Sequence, residues 1–245
     1  MEAPGRFMGP APGRLLHVTD RYALAHDLGH TWAGAEGFRL EGHDVEAAVD
    51  EVHAMVHGRA ERCSWWLTER STPADLEARL LGAGLVLEED DYLHAGMLLT
   101  REPPQVDDIE VRRVTTLAEY AEARRLALDA FANPRQRVPT DDEIAAQWER
   151  EVDPTYAAWI DGRMASVGRA IFTRAGAYLM GGATAEWARG RGAYRAVVRV
   201  RWDAAVERGT PALAVGAGSM SRPILERLGF EQVLQFRRLE LLLTA

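Results

Sequence analysis

The sequence predicts a mixed α/β protein, a mostly antiparallel sheet with helices on its faces. Three observations carry that reading. Short apolar runs bounded by turn residues alternate with amphipathic stretches at helical spacing. Asp161-Gly162 joins two of those runs by a two-residue hairpin signal. No apolar run approaches the roughly eighteen residues of a membrane span. The 245 residues, 47% hydrophobic and 27% charged, suffice for one large domain or two small ones. The boundary is expected at Arg101-Glu102-Pro103-Pro104-Gln105, because two prolines interrupt helix and ladder alike, giving domains 1–104 and 105–245.

In the first half, the Gly- and Pro-rich start lacks the apolar stretch of a secretory leader and is expected to fray, which points to a cytoplasmic protein. Residues 21–32 and 45–57 read as amphipathic helices, the second on Val45, Val49, Val52 and Val56. Residues 63–67 read as a strand. Ser71-Thr72-Pro73 reads as a cap and first-turn proline for a helix carrying Leu76, Leu80 and Leu81 that stops at Gly84. Residues 93–99 read as a closing strand.

In the second half, residues 109–112 read as a strand, 117–131 as a helix ended by Asn133-Pro134, and 141–150 as a further helix. Strands follow over 156–160, 164–172 and 177–184. The interior Gly181-Gly182 pair of the last one marks a bulge or the close approach of a ligand. A helix over 193–208 ends at Gly209, and strand 212–215, helix 223–228 and strand 233–243 close the chain.

Charge and composition narrow the chemistry. The 29 basic against 37 acidic residues give a net charge of -8, the wrong sign for a nucleic-acid or anionic-membrane binder. Every basic residue is arginine, which excludes lysine Schiff-base and P-loop chemistry. Cys63, the single cysteine, excludes an internal disulfide and a multi-thiolate metal site. His26 with His30 and His53 with His57 are spaced by four, a spacing that suits a chelating pair or a plain polar helix face; no metal is expected. Trp65 and Trp66 lie on opposite faces of their strand, one for the core and the other for a domain interface or acceptor pocket.

The most informative stretch runs from Gly181 to Arg195, a strand leading through Arg189-Gly190-Arg191-Gly192 into a helix. Glycines there allow positive φ and bring backbone N–H groups near an anion, and the helix start adds unpaired donors. Arg191, Arg195 and Arg199 share one helix face suited to several phosphates. A solvated turn is the plain alternative. Arg189-Gly190-Arg191-Gly192-Ala193-Tyr194 resembles the cofactor motif of the GCN5-related N-acetyltransferase superfamily, with Tyr194 standing where a small residue is usual. Ser219 to Phe230, ending in Leu228-Gly229-Phe230, is similar to that family's second helix and its closing Leu-Gly-Phe. The resemblance covers roughly residues 109–243 in the family's element order.

The resemblance implies acetyl-CoA or another acyl-CoA as co-substrate, lying where strands 177–184 and 212–215 diverge. Gly182, Ala183 and Thr184 would bond the pantetheine arm, and the backbone of Arg189, Gly190, Arg191, Gly192, Ala193 and Tyr194 the diphosphate. Preorganised donors would then meet the oxyanion. Leu225 stands where the family often has a tyrosine acid, which leaves Ser219 or Ser221 as substitute thiolate donors. Glu186 is the nearest carboxylate for a base, and otherwise reads as a solvated loop residue, with water carrying the amine proton.

Residues 71–85 parallel residues 221–230 in their Ser-x-Pro, helix and Gly-apolar order, so the first half reads as a degenerate copy of the second, or as two amphipathic helices alike by chance. The predicted function is direct acyl transfer from CoA to a small-molecule or peptide amine, with residues 132–144 as one wall of the acceptor site. A homodimer is admitted, and neither nucleic acid nor membrane is a partner. The alternative is a CoA-sensing or protein-interaction module without turnover.

Overall fold

The computed structural model describes residues 4–9, 12–27, 32–88, 95–131 and 138–243. His30, His94, Asn133, Pro134 and the 132–137 part of the expected acceptor wall lie outside them. In chain order the elements are β1 (Arg14–Val18), β2 (Ala23–Asp27), β3 (Trp32–Glu36), α1 (Val45–Val56), β4 (Arg62–Thr68), α2 (Leu76–Gly82), β5 (Val86–Leu87), β6 (Ala95–Leu99), β7 (Glu110–Arg113), α3 (Leu117–Phe131), α4 (Asp141–Arg150), β8 (Thr155–Ile160), β9 (Arg163–Thr173), β10 (Gly176–Thr184), α5 (Ala193–Glu207), β11 (Leu213–Ala217), α6 (Arg222–Arg227) and β12 (Glu231–Leu242). They fall into two compact units. One holds Met1–Gly96, Gly216–Arg222 and Gln232–Ala245; the other holds Met97–Val215 and Pro223–Glu231.

In the first unit β1, β2 and β3 are antiparallel, β4 lies parallel to β3, and β12 pairs antiparallel with both β4 and β5. α1 buries Val45, Ala48, Val49, Val52 and Val56, a spacing of three and four that puts them on one stripe. Trp65 is fully buried and stacks on Phe38 with ring centroids 4.7 Å apart. Trp66 points the other way, meeting the Phe236 ring at 6.0 Å.

In the second unit β7, β8, β9 and β10 are antiparallel in sequence order and β11 lies parallel to β10. The β8–β9 hairpin turns on Asp161 and Gly162, both at positive φ, as a type I′ turn requires. α3 and α4 pack Tyr120, Ala123 and Ile144 against Ala157, Trp159, Val167 and Ala183 of the sheet. α4 opens with a capping box, in which Thr140 Oγ1 accepts from the Glu143 N–H at 3.3 Å and Glu143 Oε2 accepts from the Thr140 N–H at 2.8 Å.

Both units carry one element order: three antiparallel strands, a helix, a strand parallel to the third, and a second helix. Their closing strands are exchanged. β12 follows the helices of the second half yet joins the first unit, where Leu239, Leu241 and Leu243 enter the core, and Met97–Leu99 of β6 belong to the second unit. A cut between residues 104 and 105 therefore does not follow the packing.

Three expectations change. Residues 21–32 are not a helix: β2 and β3 occupy both ends, and Tyr22, Leu24 and His26 face one way at the period of a strand. Strand pairing overrides the helix propensity of the alanines. Pro73 is not in the first turn of α2, which starts at Leu76, because the Thr72 backbone is taken by Phe38 and Leu40 in a bridge beside Arg39. Part of the stretch expected to fray also makes contacts. β1 is a ladder strand, and Arg6 donates to the carbonyls of Thr19 and Gly37. Removing the α4 box by Thr140→Ala should lower unfolding stability by about 1 kcal/mol in chemical denaturation, with little change in m-value.

Candidate active site

The site begins with an interruption in β10. Met180 pairs with Arg169 and Ala183 with Val167, so three steps on β10 match two on β9 and one extra residue bulges out at Gly181-Gly182. Gly181 has φ 58°, a conformation open to glycine at little cost. On its other edge β10 pairs with β11 only from Ala177↔Leu213 to Leu179↔Val215. Residues 180–184 run on past that pairing and have no ladder partner on this side among the described residues. A chain laid along this edge finds main-chain donors and acceptors at strand spacing.

The strand then enters a 3-10 turn at Glu186–Ala188 and the arginine-glycine loop. The Trp187 ring lies under Arg163 at 4.3 Å and Arg191 at 5.6 Å, which steadies the turn. The N–H groups of Arg189 and Arg191 are spent on Glu186 and Ala188. Those of Gly190, Gly192, Ala193, Tyr194 and Arg195 have no backbone acceptor among the described residues. Gly190 (φ 76°) and Gly192 (φ 89°) are both left-handed, and Gly192 caps α5 with no side-chain oxygen to occupy the free donors. Five N–H groups without a backbone acceptor among the described residues and the positive end of a fifteen-residue helix thus fall together in residues 190–195.

The arginines divide. Arg199 is committed to Asp203, Glu102 and the Pro103 carbonyl, so it is not free to act with Arg191 and Arg195 on a ligand. Arg191 reaches Asp161 at 3.3 Å. Arg195 has no ion-pair partner among the described residues, and its Nη2 folds back to 3.5 Å from where a β-carbon of residue 192 would stand. With Arg191 it lines a cavity of about 410 Å³ bounded also by Val106, Asp108, Ile109 and Ile160.

Of the catalytic candidates, Glu186 is exposed at the start of the 3-10 turn. Ser221 accepts from the Gly218 N–H at 3.2 Å and is held in its own turn. Leu225 is fully buried. Two groups next to the bulge were missed in the sequence. On the α3 and α4 face, Glu151, 13% exposed in its side chain, pairs with Arg169 at 3.2 Å and meets the Tyr120 hydroxyl at 3.5 Å. Arg169 also reaches the Met180 sulfur at 3.4 Å. Burial and the Glu151 charge raise the Tyr120 pKa, so this hydroxyl stays protonated. On the α5 face, the Tyr194 ring fills the space that Gly182 leaves. Arg201 sits deeper, and its signal was legible: it falls four residues after Val197 and four before Ala205, on the apolar stripe.

The chain is similar in structure to a GCN5-related N-acetyltransferase from Kribbella flavida, at 16% identity over 94% of this chain and 90% of that one, with a TM-score of 0.68. It is also similar to a tandem GNAT protein from the clavulanic acid biosynthesis pathway (14%; 96% and 85%; TM-score 0.63) and to a GCN5-related N-acetyltransferase from Sphaerobacter thermophilus (12%; 94% and 83%; TM-score 0.59). No family model matches the sequence, and no curated protein does. At such identities the likeness is one of fold: the chain has the mixed α/β acyl-CoA N-acyltransferase fold. No helix among the described residues is long and apolar enough to cross a membrane, and none of their His, Cys, Asp and Glu side chains form a metal-binding group of three.

A β-carbon at residue 182 would stand 2.8 Å from Tyr194 Cε2. Gly182→Ala should therefore cost about 1–3 kcal/mol of stability by overpacking. In a Tyr194→Ala background the same change should cost under about 0.5 kcal/mol, a coupling that a double-mutant cycle measures directly.

Proposed function

We propose that this chain is an acetyl-CoA-dependent N-acetyltransferase of the cytoplasm that transfers the acetyl group directly to a small-molecule or peptide amine. The observation that carries the proposal is the run of unpaired strand edge, bulge and unpaired helix-start donors from Met180 to Arg195. Residues 182–184 bind the pantetheine amides as an added strand would. The N–H groups of Gly190, Gly192, Ala193 and Tyr194 take the diphosphate, Arg189 and Arg191 add charge outside it, and Arg195 faces the adenosine end in the cavity beside Ile109.

A thioester set against the bulge has its carbonyl polarised by main-chain donors that need no reorganisation as charge develops. The amine attacks in its neutral form and releases its proton to water. It approaches on the α3 and α4 face, where Glu151 is paired with Arg169. The fold likeness to N-acetyltransferases supports this reading at the level of reaction class.

The first half is a degenerate tandem copy in this account. Its element order repeats that of the second half, and the fold likeness to a tandem GNAT protein extends over 96% of this chain. The cofactor site is closed in it: β3 pairs with β4 along its full length, from Trp32↔Arg62 to Glu36↔Trp66. Glu41, Asp44 and Glu46 surround the start of α1, where an anion would be repelled.

Isothermal titration of acetyl-CoA tests the proposal. Wild type should bind, and an Arg189→Ala, Gly192→Asp double variant should bind at least tenfold more weakly, about 1.4 kcal/mol. An amine panel scored by CoA release then tests turnover. Binding with no release from any amine would favour a CoA-sensing module, a reading that buried Leu225 and the engaged Ser221 hydroxyl already invite.

A further inference from the structure

Beneath the β10 bulge lies a positive charge that no carboxylate among the described residues neutralises. Arg201 is 1% exposed on the inner face of α5. Its Nε donates to the Val197 carbonyl at 3.0 Å and its Nη1 to the Arg169 carbonyl at 3.2 Å, while Nη2 is buried with no hydrogen-bond partner among the described residues. Room for the guanidinium exists because residue 168 is glycine, where a β-carbon would stand 2.7 Å from Nη1 and 2.8 Å from Cζ. Gly168 lies between Arg169 and Val167 in the register, hence opposite Gly181-Gly182, and faces Tyr156 on β8.

The titratable groups whose charge bears on this guanidinium are the hydroxyls of Tyr194 and Tyr156. Across the sheet stand Arg169 and Glu151, already paired with each other. Burial pulls the Arg201 pKa down and pushes that of Tyr194 up, and each group moderates the other. A buried cation bonded only to neutral acceptors is expensive, and an apolar side chain of similar volume would serve packing better. Packing therefore does not account for it.

The geometry points to Arg201 as a positioning residue that acts through the Tyr194 hydroxyl, holding fixed positive charge under the bulge to stabilise the thiolate leaving an acyl-CoA. This rests on the transferase reading above. In the step concerned the amine lone pair forms the N–C bond, the C–S bond breaks with its electron pair on sulfur, and the amine proton goes to water. CoA departs as the thiolate, so no proton donor is consumed.

The pKa of the CoA thiol, read from thiolate absorbance in a pH titration of the complex, tests the inference with no need for the acceptor. In wild type the bound thiol should titrate at least about one pH unit below free CoA, roughly tenfold more thiolate at a given pH. Arg201→Met should return it to the free value, Arg201→Lys should keep part of the effect, and Tyr194→Phe should lose part of it. Equal thiol titration in wild type and Arg201→Met, with both binding CoA, would overturn the inference and leave the transferase reading standing. An unshifted wild-type thiol overturns it even if Arg201→Met fails to fold. Wild type that binds neither CoA nor acetyl-CoA overturns the transferase reading and the inference with it.

Discussion

One extra residue in β10 organises the second half. Because Gly181-Gly182 bulges against β9, the strand changes direction just after its pairing with β11 ends at Leu179↔Val215. Met180, Ala183 and Thr184 are then paired with β9 on one edge, and residues 180–184 have no ladder partner on the other among the described residues. The same strand delivers the chain into the arginine-glycine loop, so the open edge and the free N–H groups at the start of α5 come from one continuous segment. Filling the missing ladder would close the edge, as β3 and β4 do in the first half, where all five residues of β3 are paired.

Two glycines then decide what lies under the bulge. Gly182 admits the Tyr194 ring and Gly168 admits the Arg201 guanidinium, each at a distance no β-carbon tolerates. The Tyr194 ring is thus accommodated against the strand at Gly182 rather than in the arginine-glycine loop. Arginines elsewhere in this lysine-free chain do structural work. Arg199 ties α5 to Glu102 and Pro103, and Arg169 ties β9 to Glu151.

Much of the second half was legible from residues alone. Asp161-Gly162 announced the hairpin, Gly181-Gly182 the bulge, and the Gly-rich string before an apolar helical stripe announced the start of α5, because each rests on local backbone chemistry. The first half was harder to read. In residues 21–32 alanine and leucine satisfy helix and strand periods alike, and only the neighbours β1 and β3 decide between them. The exchange of closing strands was invisible for a similar reason: β12 reads as a strand whichever unit it joins, and Leu239 and Leu241 would suit either core. Spacing placed Arg191, Arg195 and Arg199 on one face but could not reveal that Glu102, distant in sequence, claims one of them.

The central claim is that the open edge and the loop form one binding surface for an acyl-CoA. Amide hydrogen exchange with and without acetyl-CoA addresses it residue by residue. The account predicts added protection over residues 180–184 and at Gly190 and residues 192–195, with none at the start of α1. Protection confined to the first half, or none in either segment at saturating acetyl-CoA, would contradict it.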